Sequence, residues 1–252
     1  MAALPWRRFR HEVVSSTNDL AFAAIEAGSA RHGDTFVAGT QTAGRGTRGR
    51  TWESAPGGLY LSVVLRSTSM PPPGAWTCAG ALAVHDVARS VGAPAVIKWP
   101  NDVTTPGGAK IAGVLAESRG LRANAPTAFV LGVGLNVTGA GPSGALRAER
   151  AVASLDELSP APAPLDLASV EEALVKTLER RTREVIEDAS LLFSEFFERC
   201  ALAHARVTVE GAEQEVTGSW TGLDPFLGLR IDAAGRARHL PVAHVRSVLP
   251  AD

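Results

Sequence analysis

The stretch from Thr42 to Trp52, TAGRGTRGRTW, carries glycines at 44, 46 and 49 in G-x-G-x-x-G spacing, interleaved with Arg45, Arg48 and Arg50. Such a loop binds a dinucleotide when a strand leads in, a helix opens at the glycines and an acidic residue follows about 20 positions on. A strand-like run does lead in, DTFVAGT (Asp34–Thr40), but the other two conditions fail. The chain passes through TWESAPGG, with Pro56, Gly57 and Gly58, directly into the apolar, β-branched run GLYLSVVLR, and no Asp or Glu lies between Glu53 and Asp86. A glycine loop that joins strand to strand excludes the doubly wound dinucleotide fold and favours an α+β layer. What remains is three planar guanidinium forks among glycines whose N–H groups can approach an anion closely. That chemistry suits a phosphorylated or acyl-phosphate ligand.

The rest of the chain supplies more strands in direct succession. FRHEVV (Phe9–Val14) reads as a strand, and SSTNDLAFAAIEAG as a capped helix with Leu20, Ala23, Ala24 and Ala27 at helical spacing, stopping at Gly28. Pro71 to Pro73 open an Ala-rich helix to about Val91. AVIKW is a strand, TTPGGAK a turn, and KIAGVLAES and TAFVLGVGLNV two further strands. After the stiff connection SPAPAP (Ser159–Pro164), an amphipathic helix is expected from Asp166 to about Ala203, broken near Asp188. From Arg206 short alternating runs follow, RVTVE, QEVTGSWTGL, GLRID and ARHLPVAHVRSV, the pattern of a small β-barrel. The expectation is a mixed-sheet α+β domain over residues 1–203 and a β module over 204–252.

Composition removes several function classes. With 25 basic and 26 acidic residues the net charge is −1, unlike a generally basic nucleic-acid binder. Cys78 and Cys200 sit in apolar-periodic segments and read as buried small hydrophobes. The six histidines show no H-x-H or H-x-x-x-H spacing, so no metal held by protein side chains is expected. No run reaches the roughly 18 to 20 apolar residues of a membrane span, and MAALPWRRFRHEVV lacks a signal-peptide core. The expectation is a cytoplasmic protein with neither a membrane nor a nucleic-acid partner.

Three further islands carry polar groups where a sheet would present them. IKWPND sets Lys98, Trp99, Asn101 and Asp102 at a strand end, because Pro100 cannot donate to a ladder. In KIAGVLAE, strict alternation places Lys110 on one face with Ala112, Val114 and Ala116, pointing inward. In LGVGLN, Gly132 and Gly134 mark either a bulge or the close approach of a ligand or another backbone.

Taken in order, SSTN, QTAGRGTRGRTW, LYLSVVLR, KWPND, KIAGVLAE and LGVGLNV resemble the biotin protein ligases (biotin–[acetyl-CoA carboxylase] ligases), over about Val13 to Val137. The terminal β module is similar to that family's SH3-like C-terminal domain. The resemblance implies a biotin/lipoate-ligase-type catalytic domain that activates biotin with ATP and Mg²⁺ to biotinyl-5′-AMP. Biotin then passes to a lysine of a biotin carboxyl carrier protein or domain. It also implies roles. Ser16, Thr17, Asn18 and Gln41 meet biotin's ureido end, and Gly113, Gly132 and Gly134 leave a slot for its body. Gly44 and Arg45 lie over the carboxylate and phosphate, which Lys110 bridges. Arg48 and Arg50 meet the nucleotide phosphates, Trp52 packs on adenine, and Asn136 stands near the phosphates or Mg²⁺. Arg45, Lys110 and Asp102 form the catalytic set, with Asp102 orienting or deprotonating the incoming lysine.

One departure is Thr47, where the family's loop commonly has an arginine. Lipoate–protein ligases and octanoyltransferases share the fold, but the Arg-rich loop with Trp52, KWPND and the β module favour biotin. Only about 14 residues precede SSTN, too few for the N-terminal DNA-binding domain of some members.

Overall fold

The computed structural model describes residues 6–119, 127–139, 151–211 and 215–251. Its main layer is a seven-stranded sheet in the order β1-β2-β3-β7-β6-β5-β4. The strands are β1 (Arg8–Val14), β2 (Thr35–Gln41), β3 (Gly58–Ser67), β4 (Val96–Lys98), β5 (Asp102–Thr104), β6 (Lys110–Ser118) and β7 (Thr127–Asn136). Only β1 and β2 pair in parallel, through α1 (Thr17–Glu26); every other pair in this sheet is antiparallel. The sheet is therefore mixed, as expected when strands follow one another without crossover helices.

β3 is central because both of its faces are apolar. Leu59, Leu61, Val63 and Leu65 join the large core, while Val64 packs with Phe22, Phe36 and Val130 under α1. On the first face lies α2 (Ala75–Ser90), whose run of alanines lets it sit close. A Cβ on Gly80 would come within 2.8 Å of Val114 Cγ1. Behind it pack α4 (Leu167–Glu187) and α5 (Ala189–Glu198), after the short α3 (Leu155–Leu158). The helix breaks at Asp188 as the sequence predicts: Asp188 is the C-cap of α4, and its carboxylate caps α5 by accepting from Leu191 N–H at 3.0 Å. It ends at Glu198, before the predicted Ala203, because Cys200 forms an isolated parallel bridge with Ile97.

Two other expectations need correction. The sheet does not stop at Lys98: the chain turns through a cis Trp99–Pro100 bond into β5, and Lys98 pairs with Asp102. The run ARHLPVAHVRSV is two strands, parted at Pro241, which has no N–H for a ladder. The C-terminal sheet then holds five antiparallel strands in the order β11-β10-β9-β8-β12, namely β8 (Arg206–Gly211), β9 (Glu215–Asp224), β10 (Gly228–Ala233), β11 (Arg236–Leu240) and β12 (Val245–Pro250).

An aromatic seam joins the two layers. Trp220 of β9, fully buried, lies 5.1 Å from Phe197 and 6.0 Å from Trp99, measured between ring centroids, and Trp99 is 6.0 Å from Phe196. Cys78 and Cys200 are free and buried, as predicted, and burial pushes both thiols up from their ordinary value. An ion network around the buried Arg181 ties the helices together. Arg181 of α4 donates to Glu195 of α5 at 2.6 and 2.7 Å, to Asp86 of α2 at 2.9 Å and to Glu184 at 2.9 Å. Among the described residues, no helix is long and apolar enough to cross a membrane.

Candidate active site

On the sheet face opposite α2, a cavity of about 760 Å³ opens between the N-terminus of α1, the arginine loop, strands β5 to β7 and strand β12 of the C-terminal sheet. All the candidate site residues named from the sequence line it except Gly44. Gly44 lies just behind the wall. Its carbonyl accepts from Trp52 N–H at 2.9 Å, and a Cβ there would meet Trp52 O at 2.5 Å, so a side chain would prevent the loop from folding back.

One end of the cavity is a chain of polar side chains. Ser16 occupies the N-cap position of α1 but makes no cap bond with its side chain, so SSTN is more than a helix start. Thr17 donates from its backbone N–H (2.8 Å) and its hydroxyl (3.1 Å) to Gln41 Oε1, and Gln41 Nε2 donates to Ser54 Oγ at 2.9 Å. The buried Ser62 hydroxyl lies 2.7 Å from Thr17 Oγ1 and donates to Asn18 Oδ1 at 2.5 Å. Asn18 Nδ2 then donates to Glu117 Oε2 at 2.6 Å. Ser16, Thr17 and Asn18 are all at least 96% buried, so each polar atom needs such a partner.

The floor is the glycine ladder of β6 and β7, in which Gly113 pairs with Gly134 and Leu115 with Gly132. The glycines mark close approach rather than a bulge. A Cβ on Gly134 would come within 2.4 Å of the Trp52 indole, one on Gly113 within 2.9 Å of the same ring, and one on Gly132 within 2.4 Å of Asn18 Oδ1. The indole of Trp52 thus lies on the glycine slot, with its Nε1 buried and unpartnered. For biotin, the ligand that the resemblance implies, Gly134→Val is expected to weaken binding at least about 10-fold by calorimetry, since the side chain invades a packed slot. Unchanged affinity would show that ligand does not approach this floor.

The cations sit at the other end. A bulge corrects the predicted face of Lys110. Val103 of β5 pairs with Ala112 and Thr104 with Lys110, leaving Ile111 as the extra residue. The bulge swings Lys110 away from the face of Ala112 and Val114 and over Gly113, whose Cβ would lie 3.3 Å from Nζ. Lys110 Nζ pairs with Asp102 Oδ1 at 2.7 Å and stands 5.1 Å above the Trp52 ring. Asn136 Nδ2 donates to the carbonyls of Lys110 and Ala153, both at 3.3 Å, fixing the strand that bears the lysine. Arg45 reaches Asp19 at 2.6 Å and Glu117 at 3.0 Å. Burial alone would lower the Arg45 value, but these two carboxylates outweigh it and hold it above the ordinary arginine range. Burial likewise pushes Asp19 up, yet Arg45 and Arg119 bring it below the usual carboxylate value.

Several residues of this site are not legible in the sequence. Arg246 to Leu249 of β12 line the cavity, and Arg48, whose φ of 59° is left-handed, donates from Nη2 to the Arg246 carbonyl at 2.5 Å. Nothing local in the last strand announces that contact. Asp19 and Glu117 read as ordinary solvated charges. Ser62 does leave a signal, as the one polar residue between apolar neighbours in LYLSVVL.

Comparison with known proteins points the same way. The model of the biotin/lipoate A/B protein ligase family matches residues 11–136, half of the chain. A biotin–[acetyl-CoA-carboxylase] ligase of Mycobacterium tuberculosis is 35% identical over 243 residues, covering 92% of this chain and 85% of that one. The biotin protein ligase from Aquifex aeolicus, solved in complex with biotin and ATP, aligns with a TM-score of 0.78 at 23% identity, covering 97% of this chain and 99% of its own. The biotin acetyl coenzyme A carboxylase synthetase from Helicobacter pylori, solved with bound biotinylated ATP, aligns with a TM-score of 0.60 at 21% identity, covering 93% and 100%. These solved structures share the fold, a mixed sheet with a small SH3-like sheet at the C-terminus. By its motifs, its fold and a relative alike over nearly its whole length, the chain belongs to the biotin/lipoate A/B protein ligase family.

Proposed function

We propose that this protein is an ATP-dependent biotin–protein ligase. It joins the carboxylate of biotin to the α-phosphate of ATP, releasing pyrophosphate, and holds biotinyl-5′-AMP. It then transfers the biotinyl group to a lysine of the biotin carboxyl carrier domain of an acyl-CoA carboxylase. The observation that carries this reading is one cavity with a polar end built from Thr17, Asn18 and Gln41, a glycine floor, and a cationic end of Lys110 and the loop arginines. A cyclic urea fused to an apolar body and ending in a carboxylate fits that order of surroundings.

In the first step the carboxylate attacks the α-phosphate, and charge builds on the α-phosphate oxygens and on the departing pyrophosphate. Lys110 bridges the carboxylate and the α-phosphate, Arg45 faces them, and Arg48 and Arg50 take the outer phosphates. Such fixed cations are most effective where charge develops only in the transition state. Trp52 leaves the glycine floor to pack on the nucleotide base. Mg²⁺ would accompany the phosphates of ATP and offset their charge, with Asn136 standing near them. In the second step the amine of the acceptor lysine attacks the acyl carbon, the C–O bond to phosphate breaks and AMP leaves. The amine must first lose a proton, its reference pKa being about 10.4. Asp102, released when Lys110 turns to the ligand, orients that amine and receives the proton. We assign residues 1–203 to the catalytic unit and 204–252 to the C-terminal module, and the cytoplasm, where ATP and acceptor are both present, to the reaction.

The test is exchange of labelled pyrophosphate into ATP, with Mg²⁺ and no acceptor. Exchange that requires biotin, and is not supported by lipoate or octanoate, is the expected result. Folded protein that exchanges with none of the three acids would rule out the adenylating step.

A further inference from the structure

Arg45 faces the cavity, but the carboxylates that grip it do not line it. Asp19 Oδ1 accepts from Arg45 Nη1 at 2.6 Å, and Arg119 stands on the far side of the same oxygen at 3.1 Å. Glu117 Oε2 accepts from Arg45 Nη2 at 3.0 Å and from Asn18 Nδ2 at 2.6 Å. One oxygen is therefore shared between the amide resting on the slot floor at Gly132 and the arginine over the cationic end. Asp19 and Glu117 face Arg45, and Asp19 and Glu26 face Arg119, so each guanidinium has carboxylate partners without ligand. Arginine has five N–H donors and these two bonds use one on each terminal nitrogen, which leaves donors to turn toward an anion.

We propose that Glu117, backed by Asp19, is a positioning residue that holds Arg45 over the acyl-phosphate and ties its placement to Asn18 at the polar end of the slot. The proposal rests on the ligase reading above. A long, flexible arginine left unheld would be ordered at the expense of ligand binding, whereas one gripped from behind is already in place.

The experiment is a double-mutant cycle in the full chain with Glu117→Gln and Arg45→Ala, made singly and together. Glutamine keeps an acceptor for Asn18 but removes the charge that holds Arg45. Three quantities are read: kcat and KM for biotin in pyrophosphate exchange, and the affinity for a sulfamoyl analogue of biotinyl-5′-AMP, which binds without reacting. Glu117→Gln is expected to lower kcat about 10-fold and weaken the analogue similarly, with KM for biotin shifting less than about 3-fold. In the Arg45→Ala background the same change should weaken the analogue less than about 2-fold, because its effect runs through Arg45. Glu117→Asp, which restores the charge, should recover part of the loss. Equal losses in both backgrounds, or no loss in the first, overturn the proposal. Where Glu117→Gln fails to fold, Asp19→Asn enters the same cycle with the same outcomes. Absence of biotin-dependent exchange in the unaltered protein would remove the ligase reading and this proposal with it, before any variant is compared.

Discussion

Lys110→Ala is expected to slow biotin-dependent pyrophosphate exchange by about 10²–10³-fold, the usual cost of losing one fixed group aimed at developing charge. The size follows from how the lysine is delivered. A bulge re-aims its side chain over Gly113, Asn136 fastens its carbonyl, its N–H donates to the Ala151 carbonyl at 2.9 Å, and its carbonyl accepts from Ala153 N–H at 3.0 Å. Its partner Asp102 is a single carboxylate that a better-placed anion can replace. Lys110→Arg should recover little, because a planar fork does not place one compact charge between two oxygens. Since the Lys110 and Asp102 side chains are 32% and 26% exposed, the pair adds little stability and the variant should keep its melting temperature. Exchange rates and thermal melts together decide the matter. A variant that exchanges within about 3-fold of the parent would show that Lys110 is not the charge stabiliser.

Arg181→Met is expected to destabilise the fold by about 1–3 kcal/mol, the cost of removing a buried charged donor from three half-buried carboxylates that keep Arg180 and Arg199 nearby. Arg181 is 4% exposed and is the shared donor of Asp86, Glu184 and Glu195, which come from α2, α4 and α5. Urea unfolding at neutral pH measures the loss directly. Acid titration gives an independent check. Burial pushes Asp86 up, but the neighbouring His85, hydrogen bonds from Arg181 and Arg180, and the Arg181 charge bring it down to about 2. A carboxylate whose folded value lies below its unfolded one, near ~3.9, stabilises fully above the unfolded value and loses that contribution as pH falls toward the folded one. The parent should therefore lose stability between about pH 4 and pH 2, and Arg181→Met, which leaves Asp86 with Arg180, should show a shallower slope there. Equal slopes would place the acid sensitivity elsewhere.

Much of this molecule is legible in its sequence because the decisive signals are local. β3 and β7 announce themselves by β-branched and apolar runs, and the glycine loop excludes a dinucleotide turn because it opens onto a strand rather than a helix. Asp188, the capping residue, marks the helix break. The illegible part depends on pairing between distant segments. The face of Lys110 is set by a bulge against β5, a three-residue strand hidden behind Pro100, so alternation counted along β6 alone gives the wrong phase. Asp19 and Glu117 lie 98 positions apart and become joint partners of Arg45 only when α1 settles over the sheet. Trp52 could be assigned to a ligand by resemblance, but its place on the glycine floor depends on how the loop folds back, through Gly44.

The aromatic seam through Trp99, Trp220, Phe196 and Phe197 has a consequence for how such a chain can change over time. A module attached by a bare linker can be lost, duplicated or exchanged between proteins with little penalty. Here the ring that fills the centre of the small sheet also seals the end of the large one, and the last strand supplies a wall of the reaction chamber. Substitutions on either side of that seam must be matched on the other, so the two sheets are constrained to drift together as a single heritable unit.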